Sequence, residues 1–233
     1  MIEDAIKAFR KGKPVLIYDF DDREGETDIA IPALSVEPED VAMMRIDGGG
    51  LICVSIPFSA AEKLGLPFMH DILSFSARMF PQLERIAHFD ISYDSRSSFS
   101  LWVNHRDTYT GITDVDRSLT IRKVGEAVKS VLSGEDFDFG REFRSPGHVA
   151  ILKASQKLVY ERVGQTELSI AIAELAGITP AVAICEMLDD KSGRALSKED
   201  AMKYAAEYDI PFVEGREVVE YYKKRAEELK IRV

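Results

Sequence analysis

Apolar and polar positions recur with two periods along the chain, and the change from one to the other marks the expected element boundaries. Ile2, Ala5, Ile6 and Phe9 stand at helical spacing and predict an opening amphipathic helix that stops at Gly12. Val15-Leu16-Ile17-Tyr18 is a continuous apolar run, which predicts a buried strand, and Ile29-Ala30-Ile31 predicts a second. Pro38, with Glu39 and Asp40 behind it, starts a helix with an acidic first turn, and Gly48-Gly49-Gly50 ends it. Leu51 to Ile56 is rich in β-formers, Ser59 to Leu64 predicts a short helix closed by Gly65, and Ser98 to Val103 predicts another strand. Between Ser118 and Gly134, the residues Ile121, Val124, Val128, Val131 and Leu132 fall on one helical face. His148 to Ala154 alternates as a strand, Glu167 to Leu175 is helical, and Ala181 to Leu188 reads as a buried strand ending in acids. Helices near Lys198 to Tyr208 and Glu217 to Leu229 flank the short Pro211-Phe212-Val213.

Neither a repeat nor a Pro/Gly/Ser linker divides this alternation. The expectation is an α/β (α+β) fold, a three-layer single domain over residues 1–233 with a central mixed β-sheet flanked by helices. At 233 residues and 45% hydrophobic the chain has enough apolar side chains for one continuous core. A net charge of -10 without a basic stripe excludes a nucleic-acid surface, whereas small anions remain accessible to local arginines. The two cysteines, Cys53 and Cys185, form no CxxC and indicate neither a zinc knuckle nor a disulfide framework. Without a signal peptide or an apolar run of about 18 residues, the expected location is the cytoplasm, with no membrane partner.

Charge is concentrated where chemistry is expected. From Tyr18 to Asp28 the run YDFDDREGETD places six carboxylates and one arginine between two strands. Like charges held this close raise one another's pKa unless a cation, an arginine or a shared proton compensates. A solvated acidic turn is one reading. If the end of the run is extended, however, Glu24, Glu26 and Asp28 share one face. That arrangement suits Mg2+ or Mn2+, which takes one or two protein carboxylates and leaves its other positions to water and substrate. An EF-hand is excluded, because its glycine position holds Glu24 and its final glutamate position holds Ala30.

Four further segments can carry chemistry. In Arg162-Val163-Gly164-Gln165-Thr166-Glu167 a glycine loop enters a helix, and Arg162, the Thr166 hydroxyl and the helix N–H groups form a phosphate cradle without a P-loop consensus. The plainer alternative makes Thr166 an N-cap and Arg162 a surface charge. Asn104 to Asp114 is dense in hydroxyls, including Thr110, and is either a ligand loop or a turn. Arg144-Ser145-Pro146-Gly147-His148 sets an imidazole at a strand edge. In Ile184-Cys185-Glu186 a carboxylate stands in an apolar strand, at its mouth or beside a partner, where a raised pKa suits proton transfer. Cys53 is a small buried hydrophobe unless it lines the site.

Taken in order, DxDDREGETD, Gly-Leu-Ile-Cys, NHRDTYTGITDVDR, FRSPGHV, RVGQTELSIAIAELAG and ICEM resemble the pattern of 3,4-dihydroxy-2-butanone 4-phosphate synthases in their archaeal single-domain form. The resemblance implies a three-layer fold, a homodimer with active sites near the interface, and Mg2+ or Mn2+. It also implies a riboflavin-pathway lyase that converts D-ribulose 5-phosphate to 3,4-dihydroxy-2-butanone 4-phosphate and formate. Carried over residue by residue, it makes Glu24 a metal ligand, pairs Arg23 with it, and gives Asp28 to the sugar hydroxyls. Arg162, Thr166 and Thr110 fall on the phosphate side, and His148 and Glu186 match the catalytic pair. Asp19 and Glu26 add candidate acids and bases, and Cys53 joins the substrate contacts. One position departs from the pattern. Gln165 stands where the family has its second metal-binding histidine, and a glutamine carbonyl remains a reasonable ligand for a hard cation. The competing readings are another pentose-phosphate isomerase or aldolase, and a catalytically silent sugar-phosphate or metal-binding regulator of the same fold.

Overall fold

In the computed structural model, which describes residues 1–88 and 90–228, the apolar runs come together in a seven-stranded sheet. In chain order the strands are β1 (Val15–Tyr18), β2 (Thr27–Pro32), β3 (Cys53–Ile56), β4 (Phe99–His105), β5 (Phe143–Lys153) and β6 (Val182–Glu186). A small separate hairpin of β7 (Leu188–Asp189) and β8 (Arg194–Ala195) precedes β9 (Phe212–Glu214). The sheet order is β4-β5-β3-β6-β2-β1-β9, parallel at β3/β5 and β1/β9 and antiparallel at its other pairings. The helices are α1 (Ile2–Arg10), α2 (Pro38–Ile46), α3 (Phe58–Lys63), α4 (Met69–Ser76), α5 (Gln82–Ile86), α6 (Asp114–Leu132), α7 (Phe139–Glu142), α8 (Gln165–Ala176), α9 (Lys198–Glu207) and α10 (Gly215–Glu228). Among these residues no helix is long and apolar enough to cross a membrane.

Both sheet faces are covered, which is why the central strands read as continuous apolar runs. Leu16, Ile29, Ile31, Val54, Ile151 and Ala183 face one core, together with Val41 and Met44 of α2 and Val124 and Val128 of α6. Their strand neighbours Ile17, Ala30, Cys53, Ala150 and Ile184 face the other, against α1, α8 and α10. The period of two thereby sends Asp28, Glu186 and Cys53 to the α8 side of the sheet. The expected three layers around a mixed sheet are present.

Several expectations need correction. β2 begins at Thr27, so only Asp28 of the three alternating acids lies on a strand, and Glu24 and Glu26 belong to the preceding turn. That turn closes because Asp19 collects backbone donors and Gly25 takes a left-handed φ of +66°. α6 starts at Asp114, ahead of the expected Ser118, because the Thr113 side chain caps the Asp116 N–H. β5 starts at Phe143, since the segment before His148 pairs with β4 through a register shift. β6 ends at Glu186, and Leu188 belongs to the separate hairpin. The helix expected to reach Leu229 is described to Glu228, and Leu229 lies outside the described residues.

Candidate functional site

β2, β6 and β3 bring the chemistry together. Asp28 sits directly opposite Glu186 in the antiparallel register, and on the other side of β6, Cys53 sits opposite Ile184. Two carboxylates facing each other across a strand pair are destabilising unless a ligand, a cation or a shared proton compensates. Over the same face comes the start of α8. A cavity of about 200 Å3 lies between them, lined by Glu24, Asp28, Cys53, Arg162, Gln165, Thr166 and Glu186. A larger concavity of about 800 Å3 near α7 lacks comparable convergence. There Lys63 is committed to the Val131 carbonyl at 2.9 Å and Asp138 caps α7.

Three acids of the site, Asp28, Glu186 and Glu26, are pushed toward their protonated forms. Burial, then the charges of Glu186 and Glu24, push the Asp28 carboxyl well above the usual carboxylate range. Burial likewise raises Glu186. Half-buried Glu26 is pushed up to about 7, by burial first and then by Glu24, Glu186 and Asp19, with Arg23 opposing. Burial, reinforced by Glu186 and Asp28, raises the Cys53 thiol, which disfavours the thiolate a nucleophile requires. Glu26, at about 7, is placed to exchange protons near neutral pH.

Among the described residues, three buried oxygens of the cavity-lining side chains lack partners: both carboxylate oxygens of Asp28, and Oε1 of Gln165. The orientation of Gln165 is fixed by its other end, since Nε2 donates to the carbonyls of Ile17 at 3.0 Å and Glu26 at 3.1 Å. Its amide oxygen is therefore the free end. Among the described residues no three His, Cys, Asp or Glu side chains converge as a ready-made metal cluster. The donors that do line the cavity are oxygens, the type taken by a hard cation that keeps most of its positions for water or substrate.

Beside this acidic wall stands a cationic one. Arg23 Nη1 lies 2.9 Å from Glu24 Oε1, and Arg23 Nη2 lies 2.8 Å from Asp94 Oδ2. Arg162 donates from Nε to Asp94 at 2.6 Å and from Nη1 to the buried Glu167 at 2.6 Å. Gly164 is the N-cap of α8, and a Cβ there would lie 2.3 Å from Arg162 Nη1 and 2.8 Å from Arg23 Nη2. Only glycine lets both guanidiniums approach the helix start. Thr166 is thus in the first turn and not the N-cap, and Arg162, with its side chain 18% exposed, is not a free surface charge.

Five candidates do not line the cavity: Arg23 and Glu26 stand beside it, bonded to residues that do, and Asp19, His148 and Thr110 fall elsewhere. Asp19 accepts from Arg23 Nη1 and from the backbone N–H groups of Glu24 and Glu26, and its side chain is fully buried. It organises the turn and does not line the cavity. His148 is exposed on β5, with Nδ1 3.2–3.3 Å from the Asn104 amide, and β3 separates β5 from β6. The Thr110 hydroxyl bonds to Asp116 at the start of α6, at 3.3 Å. Neither His148 nor Thr110 lines the cavity. Sequence reasoning missed Asp94, whose partners Arg23 and Arg162 lie 71 and 68 residues away in the chain.

Comparison with known proteins bears on this geometry. The family model for 3,4-dihydroxy-2-butanone 4-phosphate synthase matches residues 3–221. The chain is 69% identical over 223 residues to the 3,4-dihydroxy-2-butanone 4-phosphate synthase of Archaeoglobus fulgidus, covering 95% of this chain and 94% of the other. It is 54% identical over 223 residues to that of Methanosarcina mazei, covering 95% and 90%. Among solved structures, a 3,4-dihydroxy-2-butanone 4-phosphate synthase in complex with two magnesium ions superposes with a TM-score of 0.76 at 25% identity, covering 96% of each chain.

Proposed function

The chain belongs to the 3,4-dihydroxy-2-butanone 4-phosphate synthase family of riboflavin biosynthesis enzymes, and on that premise we propose that it converts D-ribulose 5-phosphate to 3,4-dihydroxy-2-butanone 4-phosphate and formate with Mg2+ or Mn2+. The observation that carries the reading is the polarity of the cavity. Asp28 and Glu186 stand at one wall and the Arg162 guanidinium, joined to Arg23 through Asp94, at the other, matching a substrate with a ketone and hydroxyls at one end and a phosphate at the other.

Arg162, Thr166 and the N–H groups at the start of α8 take the phosphate. Asp28, with two unpartnered oxygens, accepts from the sugar hydroxyls. Glu26, pushed up to about 7, and Glu186, raised by its burial, donate a proton to a leaving hydroxyl and accept one once ionised. Cys53 contacts the substrate as a neutral thiol. Glu24, held by Arg23, and the free oxygen of Gln165 fit a hard divalent cation. Bound there, the cation supplies Lewis-acid stabilisation of the charge that develops on the ketone oxygen as the adjacent carbon loses its proton. His148 and Thr110 reach the substrate from a second copy of the chain in a homodimer. Exposed Tyr109, Ile112 and Val115 beside Thr110 form an apolar patch suited to burial against that copy.

The test is to incubate the purified protein with D-ribulose 5-phosphate and Mg2+ and to assay formate together with the four-carbon product. Release of both in equal amounts is expected. Absence of formate with every divalent cation tried would favour a sugar-phosphate-binding regulator.

Gln165 carries a prediction of its own. Gln165→Ala is expected to raise the Mg2+ concentration for half-maximal activity, and the calorimetric Kd for Mg2+, by roughly tenfold. Gln165→His is expected to keep activity and move preference toward Mn2+ or Zn2+, which suit imidazole. An unchanged Mg2+ requirement in Gln165→Ala removes this residue from the metal.

A further inference from the structure

We infer that Asp94 is a specificity-determining residue: its carboxylate fills the anion site made by Arg23, Arg162 and the start of α8, and only a substrate carrying a phosphate displaces it. The inference rests on Arg162 being the phosphate end of the site. One oxygen of Asp94, Oδ2, lies 2.8 Å from Arg23 Nη2 and 2.6 Å from both Nε and Nη2 of Arg162. Its other oxygen, Oδ1, accepts from the Ser95 N–H at 3.0 Å. Three guanidinium donors converging on one oxygen, beside a helix start with no side-chain cap, is the arrangement that holds a phosphate oxygen.

Position supports the assignment independently. Tyr93, Asp94 and Arg162 line the inner cavity and also an outer cleft of about 480 Å3. The Asp94–Arg162 pair therefore stands between the cleft and the acids. Arg162 cannot turn away from this place, because Nη1 is held by Glu167, which is itself anchored at 2.8 Å by the Ser155 N–H. Tyr93 lies over Arg23, with the guanidinium carbon 5.3 Å from the ring centroid.

Competition follows. An intramolecular carboxylate lowers the apparent affinity of any anion by the fraction of time the site is free. A phosphate brings close to two charges and three acceptor oxygens, which replace the single carboxylate with a surplus. A hydroxymethyl group brings neither. Unphosphorylated sugars thus lose the phosphate contacts and leave the Asp94 contact closed.

Inorganic phosphate is the probe, titrated by calorimetry at fixed salt into the parent and the Asp94→Asn, Asp94→Ser and Arg162→Ala variants, alongside steady-state kinetics with D-ribulose 5-phosphate. Both Asp94 variants are expected to bind phosphate about tenfold tighter and to show a lower KM, while Arg162→Ala loses phosphate binding. The kcat does not rise, because the product carries the same phosphate. If Asp94 only holds its loop in place, both variants will bind phosphate more weakly with a higher KM, and that result, or unchanged affinity in both, overturns the inference. Tighter phosphate binding with no formate from the parent would sink the proposed reaction and leave Asp94 standing. Formate release with unchanged phosphate affinity would do the reverse.

Discussion

Glu24→Gln is expected to lower kcat/KM for D-ribulose 5-phosphate by on the order of a thousandfold, since, with Glu24 as the proposed metal ligand, Lewis-acid stabilisation of several kcal/mol would be lost with the cation. The fold is expected to survive. Glu24 lies in a turn whose shape is set by Asp19, and Asp19 grips the backbone N–H of residue 24 at 3.0 Å whatever its side chain. The Glu24 side chain is 25% exposed, and its contact with Arg23 is a partly solvated ion pair, so its loss costs about 1 kcal/mol or less of stability. Thermal unfolding and Mg2+ calorimetry separate the two effects: a midpoint close to the parent's with no measurable Mg2+ binding is the expected pair. Near-normal formate release at limiting Mg2+ would remove Glu24 from the metal.

The contrast with Asp19 shows what the sequence could and could not reveal. Six acids in one run announced a functional turn, but which of them faces the substrate depends on backbone hydrogen bonds that composition does not encode. Reading Glu24, Glu26 and Asp28 as one strand face missed the turn, because Gly25 in the left-handed region lets the chain close before β2 begins. Elements with one buried stripe were legible. α1 buries Ile2, Ala5, Ile6 and Phe9, the residues whose spacing predicted it. α4 buries none of its residues and α5 none, so neither leaves a periodic trace. Glu186 is visible as a carboxylate in an apolar strand and Asp28 as the end of the acidic run, whereas Cys53 reads as a small hydrophobe until the sheet order β3-β6-β2 makes the three neighbours. Asp94 gave no signal, because an acid in a serine-rich stretch looks like any loop residue until two distant guanidiniums arrive beside it.

Mixing two inactive variants is expected to restore activity. Within one chain Glu24 lines the cavity, whereas His148 stands on β5 with β3 between it and Glu186. If His148 serves the cavity of a second copy, each site of a two-fold dimer needs Glu24 from one chain and His148 from the other. Glu24→Gln and His148→Ala homodimers then lack a complete site. A heterodimer of the two has one site missing both groups and one site missing neither. Random reassortment makes half of the dimers hetero, and half of the sites in those are intact, so co-expression of differently tagged variants should yield roughly a quarter of the parent's formate release. His148→Ala is a suitable partner because the imidazole is exposed and its removal leaves no buried group unpaired except the Asn104 amide on one side. Purified heterodimers that release no formate, from a parent that sediments as a dimer, would place His148 at the cavity of its own chain, with the imidazole reaching across β3.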